Sequence, residues 1–169
     1  MSKLQIEQVN YSEAISAIKA IRVKVFQEEQ GVAEDLEFDG LDETAIQLLA
    51  YLDRKPVGTA RIRYLKEQTV NTGALKDTAS HMEYASLPEE FPLVKIERLA
   101  VLSEARGNGV GKKLMETALK IAASKNYKIA IVHAQEYIKQ LYQQLGFEQI
   151  GASFKEAGIV HVKMIKTIS

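Results

Sequence analysis

The stretch Arg106-Gly107-Asn108-Gly109-Val110-Gly111 packs three glycines into five residues, between an apolar run from Leu93 to Leu102 and a helix-patterned run from about Val110. A strand must therefore turn sharply into a helix there, and glycine allows main-chain conformations that other residues resist. The first turn of that helix presents amide N–H groups without acceptors and the positive end of the helix dipole, so phosphate is the expected guest. The same turn would also serve as a plain structural corner. A Walker loop is excluded because Gly111-Lys112 is followed by Lys113 rather than Ser or Thr. The dinucleotide fingerprint needs a glycine spacing that this stretch lacks, and no acidic ribose ligand stands about 20 residues further on. What remains is Arg-x-x-Gly-x-Gly between a strand and a helix.

With 169 residues, 46% of them hydrophobic, the chain is expected to form one domain with its own core. Lys plus Arg and Asp plus Glu both number 22, so no global field favours nucleic acid. Cysteine is absent, which removes disulfides, thiolate metal sites and a cysteine nucleophile. The three histidines, His81, His133 and His161, are too scattered to read as a metal motif, and no metal is expected. No signal-peptide pattern or membrane-length apolar stretch is seen, so a cytoplasmic protein without membrane partners is expected.

Alternation over Leu4 to Val9 predicts a strand. Ser12 is the expected N-cap of a helix striped by Ala14, Ile18, Ile21 and Val25 and widened by Ile15 and Phe26. Gly31 to Glu43 is rich in Asp and Glu and reads as a loop. Ala45–Leu52 and Val57–Leu65 form a hairpin across Asp53-Arg54-Lys55-Pro56. Lys66 to Pro92, polar and aperiodic, reads as a covering or mobile loop with room for a short helix. Beyond the glycine turn come a helix striped by Val110, Leu114, Ala118, Ile121 and Ala122, a strand over Lys128–Ala134, and a helix through Ile138, Leu141, Tyr142 and Leu145 ended by Gly146. Strands over Phe147–Phe154 and Ile159–Ile165 close the chain. The order β-α-β-β-β-α-β-α-β-β places the fold in the mixed α/β or α+β class.

Four segments stand in a telling order: Val25 to Val32, Ile96-Glu97-Arg98-Leu99-Ala100-Val101 before the glycine turn, Tyr142 four residues ahead of Gly146-Phe147, and the closing Phe154 to Met164. Together they resemble the GCN5-related N-acetyltransferase (GNAT) family over nearly the whole chain, and within it the bacterial ElaA/YjcF-type branch. The resemblance implies a mostly antiparallel central sheet with helices on both faces and a central strand pair splayed at a bulge. It implies acetyl-CoA as co-substrate. Leu99, Ala100 and Val101 would offer backbone bonds to pantetheine. Arg106, Gly107, Asn108, Gly109, Val110 and Gly111 would hold the pyrophosphate, and Lys112 and Lys113 would add charge near it or else, the preferred reading, be ordinary solvated helix surface.

Tyr142 stands where the family has a tyrosine that protonates the departing thiolate. A thiol near pKa 8.5 and a phenol near 10 can share that proton at hydrogen-bond distance. A tyrosine on an apolar helix stripe is otherwise a packing residue. Glu97 is the candidate base for an amine that must be neutral to attack; its alternative is a salt bridge with Arg98 or another cation. Arg22, Phe26, Gln30 and Arg61 are expected to face the amine acceptor, with His133 or His161 from the late strands. Arg22 and Arg61 would clamp an acceptor anion or else pair with Asp39 and Asp42. On a closing strand, His161 reads as a bonded structural histidine before it reads as a base.

The leading expectation is acetyl transfer to a small-molecule or peptide amine, in a family whose members often dimerise through late strands. Arg22-x-x-Val25-Phe26 with Asp39, Asp42 and Arg61 also resembles acyl-homoserine lactone synthases, but the chain has no Trp and keeps a good glycine loop. A non-enzymatic acyl-CoA-binding regulatory module is the third reading.

Overall fold

The computed structural model describes residues 2–69 and 92–168. Its elements are β1 (Leu4–Val9), α1 (Tyr11–Arg22), a π-helical turn (Val23–Glu29), α2 (Glu34–Glu37), β2 (Ile46–Leu52) and β3 (Lys55–Thr69). Then follow β4 (Pro92–Val101), α3 (Val110–Ser124), β5 (Ile129–Gln135), α4 (Lys139–Gln144), β6 (Glu148–Glu156) and β7 (Ile159–Thr167). The seven strands lie in one sheet in the order β1-β2-β3-β4-β5-β7-β6. Pairing is antiparallel for β1/β2, β2/β3, β5/β7 and β6/β7, and parallel for β4/β5. The mixed, mostly antiparallel class expected from the sequence is the one observed. Apart from β3 running on to Thr69 and β4 starting at Pro92, the readings of Lys66 to Pro92, and His81 with them, fall outside the described residues. Among the described residues no helix is long and apolar enough to cross a membrane.

Several local expectations are corrected. The N-cap of α1 is Asn10, not Ser12: its side-chain oxygen accepts from the Ser12 amide at 3.0 Å and from the Ser12 hydroxyl at 2.6 Å. Asn10 is extended (φ −81°, ψ 130°), the conformation from which a short side chain reaches the second amide of the helix. The helical stripe continues through Val25 and Phe26 not as α-helix but as the wider π turn, a form that concentrates at functional sites. The acidic segment is not wholly loop, since Glu34–Glu37 forms one helical turn. The β2–β3 hairpin turns on two residues only, Asp53 (φ 50°) and Arg54 (φ 71°), because Leu52 pairs with Lys55 and Tyr51 with Pro56. Both positive φ values belong to the turn whose twist suits a hairpin. Val57 is bulged out between Pro56 and Gly58, and its carbonyl accepts from the Leu102 amide at 2.8 Å.

Contacts divide the chain into two compact units, residues 1–63 with 96–120, and residues 64–95 with 121–169. In the first, Ile18, Ile21, Val25 and Phe26 pack on Leu49 of β2 and Ala100 of β4. The π turn presents Val25 and Phe26 to this core together with the regular α1 positions. In the second, Leu93, Ile129, Ile131, Ile150 and Ile165 form the core from four strands. The apolar β5 run, buried at Ile129 through Val132, pairs with β7 along its whole length.

Candidate functional site

In the first unit, the cofactor-type segment is built from β4, a 3-10 turn at Ser103–Ala105, the glycine loop and α3. Gly107 and Gly109 have φ of 85° and 74°, left-handed values that disfavour any Cβ. Beyond the adjacent residues, no atom of the described residues comes within 4 Å of where a Cβ would stand on either glycine. Conformation, not crowding, therefore demands glycine, and the loop's surface stays open for a ligand. The Gly109 carbonyl receives the Lys113 amide at 3.0 Å, starting a helix of 15 residues whose first-turn amides have no intrahelical acceptor. The Asn108 side chain donates to the Ala105 carbonyl at 2.8 Å and so ties the loop to the 3-10 turn. Such a loop fits the diphosphate of coenzyme A. Lys112 and Lys113 are exposed.

Arg106 folds back over this turn. Its Nε donates to the Val101 carbonyl at 3.0 Å, and its guanidinium meets Glu29, at the end of the π turn, at 2.7 Å. The Val101 carbonyl thus already has a donor, while Ala100 is buried and Leu99 half-buried. Gly58 is a site residue that the sequence did not announce. A Cβ there would lie 2.9 Å from Val110 Cγ1 and 3.2 Å from both the Ala100 carbonyl oxygen and Leu114 Cδ1. Its missing side chain lets the first turn of α3 sit close on β3 and β4. Gly58→Ala is expected to destabilise the fold by about 1–3 kcal/mol through overpacking. Denaturant melts check the effect.

Behind the strand lies a cluster of four arginines and four carboxylates. Arg22, fully buried, bonds Glu37 through Nε, Asp42 at 2.6 Å and the Glu37 carbonyl at 2.9 Å, and stacks on Phe38. Arg61, equally buried, makes a two-pronged contact with Asp39 at 2.9 Å on each oxygen, and reaches Asp42 at 3.1 Å and Glu97 at 3.2 Å. Both arginines therefore follow the loop-pairing alternative, engaged by the chain's own carboxylates. Glu97 is nearly buried and bonded by Arg63, with Arg98 at 3.7 Å. Its salt-bridge alternative is thus present, with more partners than Arg98 alone.

The electrostatics follow from burial and these guanidiniums. Arg61, chiefly by its hydrogen bond, holds the Asp39 carboxyl well below the usual range. Burial works against ionisation of Asp42, yet Arg22 and Arg61 bring it down on balance. For Glu37 burial prevails and raises it despite Arg22 and Arg98. Arg61 itself is pushed up: burial opposes the charge, and Asp39, Glu97 and Asp42 outweigh it. Phe26 packs into the core, and Gln30 ends the π turn, half-buried.

In the second unit, α4 carries Tyr142, whose side chain is buried and meets Phe147 edge-to-face at 5.9 Å. Its carbonyl takes the amides of Leu145 and Phe147 at 3.0 Å each, and Gly146 (φ 92°) turns the chain into β6. The spacing from Tyr142 to Gly146-Phe147 is therefore a helix-ending turn that brings the two rings together. Burial pushes the Tyr142 phenol well above its ordinary pKa. His161 is nearly buried, and its Nδ1 lies 2.7 Å from the Ile159 carbonyl, which can only accept, so that nitrogen carries a proton. This is a bonded histidine. His133 Nδ1 approaches Glu156 at 3.2 Å and lowers that carboxyl, while His161 Nε2 stands 3.7 Å from it. Among the described residues, no group of three or more His, Asp or Glu side chains could hold a metal ion.

Comparison with known proteins agrees with this architecture. Residues 13–168 match the family described as "Acetyltransferase (GNAT) domain". The chain is 29% identical over 169 residues to the Bacillus subtilis protein named "Uncharacterized protein YyaT", covering 98% of this chain and 97% of that one. It is 29% identical over 147 residues to "Uncharacterized N-acetyltransferase YjcF" of the same organism, covering 86% and 87%. Among solved structures, Escherichia coli ElaA superposes with a TM-score of 0.73 at 22% identity, over 97% of this chain and 99% of that chain.

Proposed function

The chain belongs to the GNAT acetyltransferase domain family, and we propose that it moves an acetyl group from acetyl-CoA directly to a primary amine. The observation that carries this reading is the pair of left-handed glycines, Gly107 and Gly109, with open space above them at the start of α3. In this reading the backbone of Arg106 to Gly111 seats the diphosphate and β4 from Leu99 onward lines up with pantetheine. Acetyl-CoA supplies the activated thioester carbonyl, which the neutral amine attacks. Tyr142 is assigned to the departing sulfur, on the strength of its place before Gly146-Phe147 and a phenol that burial keeps protonated. Glu97 is assigned as the proton acceptor, through water, for the incoming ammonium. Its contacts with Arg61, Arg63 and Arg98 fix its position. Arg22 and Arg61 organise the acidic segment in this scheme instead of clamping an acceptor.

Purified protein given acetyl-CoA and a panel of amines, amino sugars, polyamines and lysine peptides should release free thiol with at least one of them. Tight acetyl-CoA binding without thiol release from any acceptor would favour a regulatory acyl-CoA module. Absence of binding would sink the transferase reading altogether.

A further inference from the structure

Five non-glycine residues among those described have positive φ. Four lie in turns: Asp53 and Arg54 in the β2–β3 hairpin, Asn126 after α3, and Ala157 between β6 and β7. Arg98, with φ 55°, lies inside strand β4. A side chain in this region costs an L-residue about 1–2 kcal/mol, and such a conformation persists only where the surroundings over-determine it. Glycine would adopt it freely, yet the position carries the longest cationic side chain. The side chain is therefore where to look for the reason.

Its contacts converge on one short segment. Arg98 Nε donates to the Glu37 carbonyl at 3.2 Å, and Nη2 donates to the Leu36 carbonyl at 3.3 Å and to Asp39 Oδ2 at 3.2 Å. Nε also faces Glu37 Oε2 at 3.2 Å. Leu36 and Glu37 close the single turn of α2, where helix carbonyls lack intrahelical donors. The segment is held from its other side by Arg22 on Glu37 and by Arg61 on Asp39. The anchor thus has holds besides Arg98.

We propose that Arg98 is a positioning residue for the cofactor strand: by gripping residues 36–39 it holds the left-handed break in β4 and so aims the backbone of Leu99 to Val101 at pantetheine. This rests on the acetyl-CoA reading above. It adds that the acidic segment takes part in cofactor binding through Arg98, without touching the cofactor itself. An ordinary ion pair would contribute to stability alone, whereas this grip would set affinity.

The test separates the backbone from the side chain. Arg98→Gly frees φ but removes the grip; Arg98→Ala loses both; Arg98→Lys keeps a cation without the planar fork. Acetyl-CoA titration by calorimetry, amide exchange at residues 99–101 and thermal melts are measured for each. The expected result is about tenfold weaker binding and about tenfold faster exchange for Arg98→Gly, a greater loss for Arg98→Ala, and an intermediate value for Arg98→Lys. The KM for acetyl-CoA should rise by more than kcat falls. Wild-type affinity and wild-type exchange in a folded Arg98→Gly would overturn the proposal. If that variant fails to fold, the same two readouts on Arg98→Lys decide, with wild-type values again overturning it. If the wild-type protein gives no heat with acetyl-CoA, the transferase reading fails on its own, and the exchange measurements still settle whether Arg98 holds the strand.

Discussion

Tyr142→Phe should lower kcat by about a hundredfold or more, the range for losing a donor to charge that develops in the transition state, while the acetyl-CoA dissociation constant stays within about twofold of wild type. The substitution removes one oxygen and keeps the ring that meets Phe147 edge-to-face at 5.9 Å, so packing in α4 is largely preserved. A fall in turnover with binding intact would therefore report on the hydroxyl. The pH dependence sharpens the test. In the proposed reaction the competent form of Tyr142 would be protonated, and burial raises its pKa, so ionisation should not remove activity anywhere near neutrality. The alkaline side of the wild-type profile should stay flat past pH ~10, the ordinary phenol value. A phenol so reluctant to ionise transfers its proton uphill to a thiolate of ordinary basicity. Its contribution is then a hydrogen bond that strengthens as charge builds on sulfur. Steady-state kinetics from acid to alkaline pH, with thiol release as the signal, check both statements. Undiminished turnover in Tyr142→Phe would take the residue out of the reaction.

How far the sequence could be read follows from which features are local. β1 was legible to both ends because a half-buried strand writes its alternation into neighbouring residues. The glycine loop was legible because left-handed backbone selects glycine whatever surrounds it. Asn10 and Ser12 are both good caps, and one register step decides which oxygen reaches the free amide. Gly58 gave no local signal, since its need arises only when Val110, Leu114 and Ala100 meet it in the fold. Arg98 gave none either, because nothing in an arginine announces a left-handed residue. The resemblance implied a break in this strand but not which residue makes it. Asp39 and Asp42 are legible as partners of Arg22 and Arg61, and Glu97 as a partner of Arg98 or another cation, whereas Glu37 is not. Together they form a cluster whose members are up to tens of residues apart, and charge pairing at that range is not written in any window of sequence.

That cluster sets up the largest stability effect. Arg61→Leu should destabilise the protein by about 3–5 kcal/mol at neutral pH, the scale for removing one partner of a buried charge group. Arg61 is fully buried and serves Asp39, Asp42 and Glu97 together, so its loss leaves three carboxylates short of a cation. Leucine refills part of the volume but none of the charge. The sign of the pH dependence follows from the carboxyls. In the wild type Asp39 and Asp42 are depressed, so the stability they contribute is fully present above the unfolded Asp value, near 3.9, and is lost as pH falls through their folded values. In Arg61→Leu the same groups lose the cation that held them down and take up protons more readily when folded. Protonation then relieves the variant over the range where it begins to harm the wild type. The gap between the two should therefore narrow as pH drops from 7 towards 4, as read from denaturant melts at each pH. A gap that stays constant or widens on acidification would mean that Arg61 acts through packing of its stem, not through its charge. Arg61→Lys distinguishes these further: a point charge satisfies one carboxylate but not the two-pronged contact with Asp39, so it should recover only part of the loss.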